Sequence, residues 1–291
     1  MKADFQTLLD GYRRVSIVGM CKNAGKTTAL GRMIGAGGGV RLGLSSIGRD
    51  GESVDLVTGT EKPSIHVPAG TVFATAERLV PLCSVSRTVL ELSDFSTPLG
   101  RVALLRADSA GLVQLAGPST VEQMQAVSKS LFAHGAERVF IDGAIFRRSI
   151  ANPALSDAVV LAAGAAAHPD MARVVAEAGY LCDLMRLPLY DGAPGARMLD
   201  GALTDAAARR LSAEGPACVV LADPSRALLS EASFAALLRR GVRLTVRARP
   251  ALLFVTANPF SPYGAGFDAA AFQEALRRRV GVPVLDAKEV S

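Results

Sequence analysis

Gly19-Met20-Cys21-Lys22-Asn23-Ala24-Gly25-Lys26-Thr27-Thr28 follows directly on the apolar run Val15 to Val18. That order decides the fold class. A buried strand ending in a small-residue loop, then a helix opening on Gly-Lys-Thr, is how many α/β proteins grip a phosphate tail. The first amides of such a helix lack partners within it, and the positive end of the helix dipole stands behind them. In a loop of this kind Lys26 reaches the β- and γ-phosphates and the Thr27 hydroxyl ligates Mg²⁺. Lys22, Asn23, Ala24, Gly25 and Thr28 line the same cradle. Gly25 keeps the backbone clear of a side chain where phosphate must approach closely. Five residues separate Gly19 from Gly25, one more than in the commonest form of the loop, and Met20 stands where the leading glycine is expected.

Composition narrows the remaining classes. At 291 residues and 49% hydrophobic content the chain can bury a large core, which excludes a disordered protein and allows one large domain or two smaller ones. Its longest apolar stretch, Ala158 to Ala167, is too short and too rich in Ala and Gly to span a bilayer. Met1-Lys2-Ala3-Asp4-Phe5 carries no secretory apolar core, so a cytoplasmic location and no membrane partner are expected. Cys21, Cys83, Cys182 and Cys218 are scattered without Cys-x-x-Cys or histidine spacing, and are expected reduced and mostly buried. The net charge of +5 is mostly arginine spread along the chain, and Arg277-Arg278-Arg279 suits a helix C-terminus. With no Trp and few other aromatics among the basic residues, no nucleic-acid partner is expected.

Strand-like and helix-like segments alternate along the chain, which predicts a mainly parallel, helix-flanked sheet. The helix after the loop is expected over 26–33, and Gly35 to Gly39 reads as its stop. Strands are expected at 40–47, 64–67, 88–92, 101–106, 112–115, 138–141, 158–161, 217–221, 242–246, 252–255 and 282–285. Helices are expected at 120–134, with Ser119 as cap, and at 171–178, 230–239 and 269–278. The loop-rich Tyr190 to Gly195 suggests a boundary: a nucleotide-binding domain over 1–190 and a C-terminal α/β extension over 191–291.

Phosphate-transfer chemistry also needs acids that hold Mg²⁺ and orient a nucleophile, placed at the carboxyl ends of strands beside the loop. Asp142 follows Val139-Phe140-Ile141 and precedes Gly143, the form of an acid that holds Mg²⁺ through water. Asp50 and Glu52, in Gly48-Arg49-Asp50-Gly51-Glu52, are the second pair: Asp50 for the metal, both for sensing the γ-phosphate or positioning water. Arg147 and Arg148 follow Asp142 closely. Asn258, in Thr256-Ala257-Asn258-Pro259, ends an apolar strand where nucleotide-binding folds often read the base. No Asn-Lys-x-Asp guanine motif is present, which leaves ATP as the default. His66 reads as a packed or edge histidine.

The loop spacing together with Asp142-Gly143 resembles the P-loop NTPase branch that contains dethiobiotin synthetase, the cobyrinic acid amide synthases and the partitioning ATPases, over roughly residues 13 to 165. The signature lysine of the partitioning ATPases is Cys21 here, so their two-subunit lysine exchange does not carry over. A closer resemblance is to the small subunits of the reactivases found with lysine 5,6-aminomutase and ornithine aminomutase. It rests on Gly19 to Thr28, Ser46 to Glu52, Asp55 to Thr60, Lys62-Pro63, Ala74 to Ala76 and Asp142 to Ala144. This resemblance implies an ATP-dependent ATPase that restores a cobalamin aminomutase, with the aminomutase or a larger companion subunit as protein partner and ATP, ADP and Mg²⁺ as ligands. A homodimer is a further expectation. Two other readings stay open: an ATP-dependent ligase or kinase related to dethiobiotin synthetase, and a nucleotide-bound scaffold that hydrolyses nothing.

Overall fold

The computed structural model describes residues 5–37, 39–47, 64–145, 152–215 and 217–287. A short α1 (Phe5–Leu9) leads into β1 (Arg14–Gly19), and α2 (Lys26–Ala36) carries the chain to β2 (Leu42–Ile47). β3 (Ile65–Val67), β4 (Val72–Ala76), β5 (Arg87–Thr97), β6 (Gly100–Ala107) and β7 (Gly111–Val113) follow. Then come α3 (Val121–Ala133), β8 (Arg138–Ile145), β9 (Ala158–Gly164) and α4 (Met171–Met185). A smaller unit holds β10 (Arg197–Met198), β11 (Leu203–Thr204), α5 (Asp205–Glu214), β12 (Cys218–Leu221), β13 (Ala227–Leu228), α6 (Glu231–Arg239) and β14 (Arg243–Val246). β15 (Ala251–Asn258), α7 (Ala269–Val280) and β16 (Val284–Asp286) complete the described chain.

Nine strands form one sheet in the order β16-β15-β9-β1-β8-β2-β4-β6-β5. The seven from β16 to β4 run parallel, and β6 and β5 are added antiparallel at one edge. Side chains of a strand point alternately to its two faces, and here both faces are covered. Val18, Val139, Ile141, Val159 and Leu161 pack with Met124 of α3, Val174 of α4 and Leu276 of α7. Val15, Ile17, Phe140, Val160 and Phe254 pack with Leu9 of α1 and with Leu30 and Met33 of α2. That double burial explains why β9 is apolar at every position rather than alternating. The helices are capped by residues suited to it: Thr120 accepts from the Gln123 amide and Asp170 from the Ala172 amide. The expected cap Ser119 lies one residue before the observed cap, Thr120. Among the described residues no helix is long and apolar enough to cross a membrane.

Two expectations are revised. β4 was not anticipated: Val72-Phe73-Ala74-Thr75-Ala76 is buried throughout, too short and too uniformly apolar to show a period. The C-terminal extension expected over 191–291 is not one unit. The chain leaves the sheet after α4, and the smaller unit has its own core of Leu203, Leu221, Leu237 and Leu244. It ends before β15, which pairs in parallel with β9 and carries β16 on its far side. The cause is burial. Phe254 is fully buried with the Phe5 ring edge-on to it at 5.3 Å, so 251–258 belongs to the large core.

Since β15 and β16 are integral to the sheet, a fragment of residues 1–190 shows no cooperative urea transition by circular dichroism. Phe254→Ala lowers the stability of the whole chain by about 3–5 kcal/mol, as loss of a buried phenyl ring does. A cooperative transition in the fragment contradicts the placement.

Candidate functional site

β1 is the central strand of the parallel sheet, with β8 on one side and β9 on the other. α2, which follows β1, packs on one face, whereas α4, which follows β9, packs on the opposite face. Helices that depart to opposite faces leave a crevice at the carboxyl ends of the two strands, the place where open α/β sheets bind ligands. The 20–25 loop lies there.

The loop is held from beneath. The Met20 amide donates to the Ala162 carbonyl of β9 at 3.1 Å. At Gly164, the end of β9, a Cβ would lie 2.7 Å from Ala24 Cα, so the strand end touches the loop backbone and any other residue would lift it. Asn258, at the end of β15, donates from Nδ2 to the Asn23 carbonyl at 3.2 Å and accepts from the Phe260 amide at 3.3 Å. Asn23 takes a left-handed backbone, φ 61°, tolerable for asparagine. Its own Nδ2 donates to the Tyr263 hydroxyl at 3.0 Å. Gly25 has φ +97°, and a Cβ there would stand 2.9 Å from Asn258 Cβ, so both conformation and contact demand glycine.

Above the loop the geometry changes character. Gly25 precedes α2 as its N-cap without a side-chain hydrogen bond, and the Ala29 amide begins the helical ladder on the Gly25 carbonyl. The amides of Lys26, Thr27 and Thr28 therefore point out of the helix end without helical acceptors. Lys26 folds back over the loop: a Cβ on Gly19 would meet its Cγ at 2.8 Å, Cδ at 2.9 Å and Nζ at 3.0 Å. Gly19 is thus the floor on which the lysine side chain lies as it folds back toward the loop. Ala24 is fully buried, Lys22 and Thr27 are half-buried and Thr28 is exposed.

Asp142 needs a correction of place. It was expected to end its strand, but β8 continues to Ile145, with Asp142 opposite Ile17 of β1 and Ser46 of β2. Alternation puts its side chain on the Phe140 face, the face of α2. The pairing with β1 skips between Ile17 and Gly19, so β8 carries an irregularity just past the acid. Asn258, expected near the base, is only 7% exposed and engages its surroundings through both ends of its amide, so it holds the loop from the end of β15. Asp50, Glu52, Arg147 and Arg148 lie outside the described residues. His66 is exposed on β3, which among the described residues pairs only with β7 in a two-stranded ribbon, an edge position. Gly164, Tyr263 and Phe260 were not anticipated as site residues. The two rings sit in Pro259-Phe260-Ser261-Pro262-Tyr263, where aromatics in a proline-rich turn beside a strand end were the only signal.

All four cysteines are free, and Cys21 alone is half-buried while the others are buried. Burial raises the Cys21 thiol above its ordinary range, the Lys26 ammonium pulls it down, and Glu177 of α4 pushes it up. Burial lifts Cys182 to about 12. Among the described residues no three His, Cys, Asp or Glu side chains gather as a metal cage. Comparison with protein-family models, with curated proteins and with solved structures finds no match for the chain.

Two outcomes follow from this geometry. Gly164→Ala destabilises the protein by about 1–3 kcal/mol in urea unfolding, because the loop must move to admit a methyl group. Iodoacetamide labels Cys21 before the other three cysteines, at a rate that still climbs above pH 9. Lys26→Ala slows that labelling at fixed pH, because the cation that favours the thiolate is gone. Faster labelling in the variant contradicts the juxtaposition.

Proposed function

We propose that this protein binds a nucleoside triphosphate with Mg²⁺, ATP by default, and hydrolyses it in the service of a protein partner. One observation carries the nucleotide reading: a lysine stem laid over Gly19 at the uncapped N-terminus of α2, above a loop whose lower side is fully engaged by β9 and β15. Amides aimed outward, a helix dipole and a held ammonium are what a di- or triphosphate needs. They also give an apolar second ligand nothing to pack on. Lys26 would sit on the β- and γ-phosphates and neutralise charge that grows there during transfer.

The residues present fit a magnesium ion. Thr27 supplies a hydroxyl and Asp142 a carboxylate, both hard oxygen donors, from elements that meet at this end of the sheet, and Mg²⁺ takes few protein ligands beside phosphate and water. When bound, the ion supplies charge neutralisation across the phosphates. Asp142 orients from within β8, and Asp50 and Glu52 are proposed to position the attacking water. ADP is the product, and its release frees the cradle for another ATP.

The partner rests on the resemblance to reactivase small subunits, which supports an aminomutase or a companion subunit as the protein that reads the nucleotide state. The alternative reading, a ligase or kinase related to dethiobiotin synthetase, would need a small substrate held beside the cradle.

Lys26→Ala reduces Mg²⁺-dependent ATP turnover by about 10²-fold or more, as removal of a charge-stabilising group does. Asp142→Asn lowers turnover while leaving metal-free nucleotide affinity nearly unchanged. Turnover is measured by phosphate release, alone and with a purified cobalamin aminomutase. Acceleration by the aminomutase supports the helper reading. Acceleration only by a small metabolite favours the ligase or kinase, and wild-type rates in Lys26→Ala refute both.

A further inference from the structure

We infer that the nine-residue loop after β15 is a stacking platform for the base of the bound nucleotide, with the rings of Tyr263 and Phe260 taking its flat face; this rests on the nucleotide reading above. The two flanks of the phosphate loop differ in kind. On the β8 and β2 side stands Asp142, which suits the metal and the terminal phosphate. A triphosphate with that end toward β8 leads its ribose and base out over β9 and β15. On that side the chain presents two large rings to solvent, Tyr263 at 61% exposure and Phe260 at 56%.

The loop is built, not slack. The Phe267 amide closes it on the Pro259 carbonyl at 2.9 Å, and Gly266 fits so tightly that a Cβ would overlap the Pro259 carbonyl oxygen. Asn258 fixes its start through the Phe260 amide, and the Phe267 ring packs against Phe272 of α7 at 5.2 Å between centroids. Tyr263 is joined to the phosphate loop itself, because its hydroxyl accepts the Asn23 side-chain amide at 3.0 Å. That bond ties the platform to the cradle, so phosphates and base would meet one rigid surface. Exposed rings held at a fixed site lose little further freedom when a flat ligand covers them, which is the condition for stacking to yield affinity.

Stacking reads the π-face and not the hydrogen-bonding edge, so it tolerates any purine. The sequence contains no Asn-Lys-x-Asp guanine motif, and the loop offers rings in its place. ATP and GTP are therefore held about equally, and tripolyphosphate, which has no base, is indifferent to the rings.

Calorimetric titration of the full chain with Mg-ATP, Mg-GTP and Mg-tripolyphosphate tests this in wild type, Tyr263→Phe and the double variant Phe260→Ala, Tyr263→Ala. Wild type binds ATP and GTP within about three-fold of each other. The double variant loses about ten-fold or more for both nucleotides, stacking being worth that much per base, and Tyr263→Phe keeps most of the affinity. Tripolyphosphate binding is unchanged throughout. If wild type binds ATP and the double variant binds it as tightly, the platform is wrong while the nucleotide reading stands. An equal loss for tripolyphosphate shows the rings only prop the phosphate loop, and a strong preference for one purine shows edge reading; either overturns the proposal. If wild type binds none of the three, the nucleotide reading itself has failed.

Discussion

The loop between β1 and α2 is held down by the ends of two strands that the chain reaches much later. Gly164 of β9 touches Ala24, and Asn258 of β15 binds the Asn23 carbonyl and crowds Gly25. These contacts fix a backbone that includes two left-handed residues, Asn23 and Gly25, a conformation an unsupported chain would leave readily. With its lower side engaged, the loop turns its remaining amides and the start of α2 toward the crevice. A site whose dipoles are already aimed needs no reorganisation when an anion arrives, and this is the main source of electrostatic affinity in such cradles.

The sheet explains why those holders exist. Parallel order places the carboxyl ends of β15, β9, β1, β8 and β2 side by side at one end of the molecule, while both faces of the sheet are covered by apolar packing. The loop thus sits between an acidic flank on β8 and a flank on β9 and β15 that supplies small residues, an amide and rings. The lysine between them lies along Gly19 because nothing larger is allowed there. The smaller unit between α4 and β15 packs around a core of its own.

Much of this was legible in the chain because it is local. The strand, loop and helix from Val15 to Met33 are contiguous, and their order alone announced the crevice. α3, α4, α6 and α7 fall where helical segments alternate with strands, although α4 runs to Met185, beyond the expected 178, where apolar spacing continues through Leu181 and Met185. Other features depend on distance along the chain. β15 has the apolar look of any buried strand, and nothing local says that it returns to β9. The tie between Asn23 and Tyr263 spans 240 positions, so no window of sequence contains it. Asp142 was recognised by type, but its place inside β8 is set by pairing with β1 and β2. Asn258 stands out by its position, but its hold on the loop is not legible locally, because the Asn23 carbonyl it binds lies 235 positions away.

The central claim is that a phosphate tail lies against the outward amides of this loop and of the start of α2. ¹⁵N-labelled protein titrated with Mg-ATP tests it at the atoms concerned. The account predicts that the backbone amides of residues 22–28 shift most, and that tripolyphosphate moves the same set while AMP moves few of them. Saturating ATP that leaves those amides unshifted, or that shifts a separate surface, contradicts it.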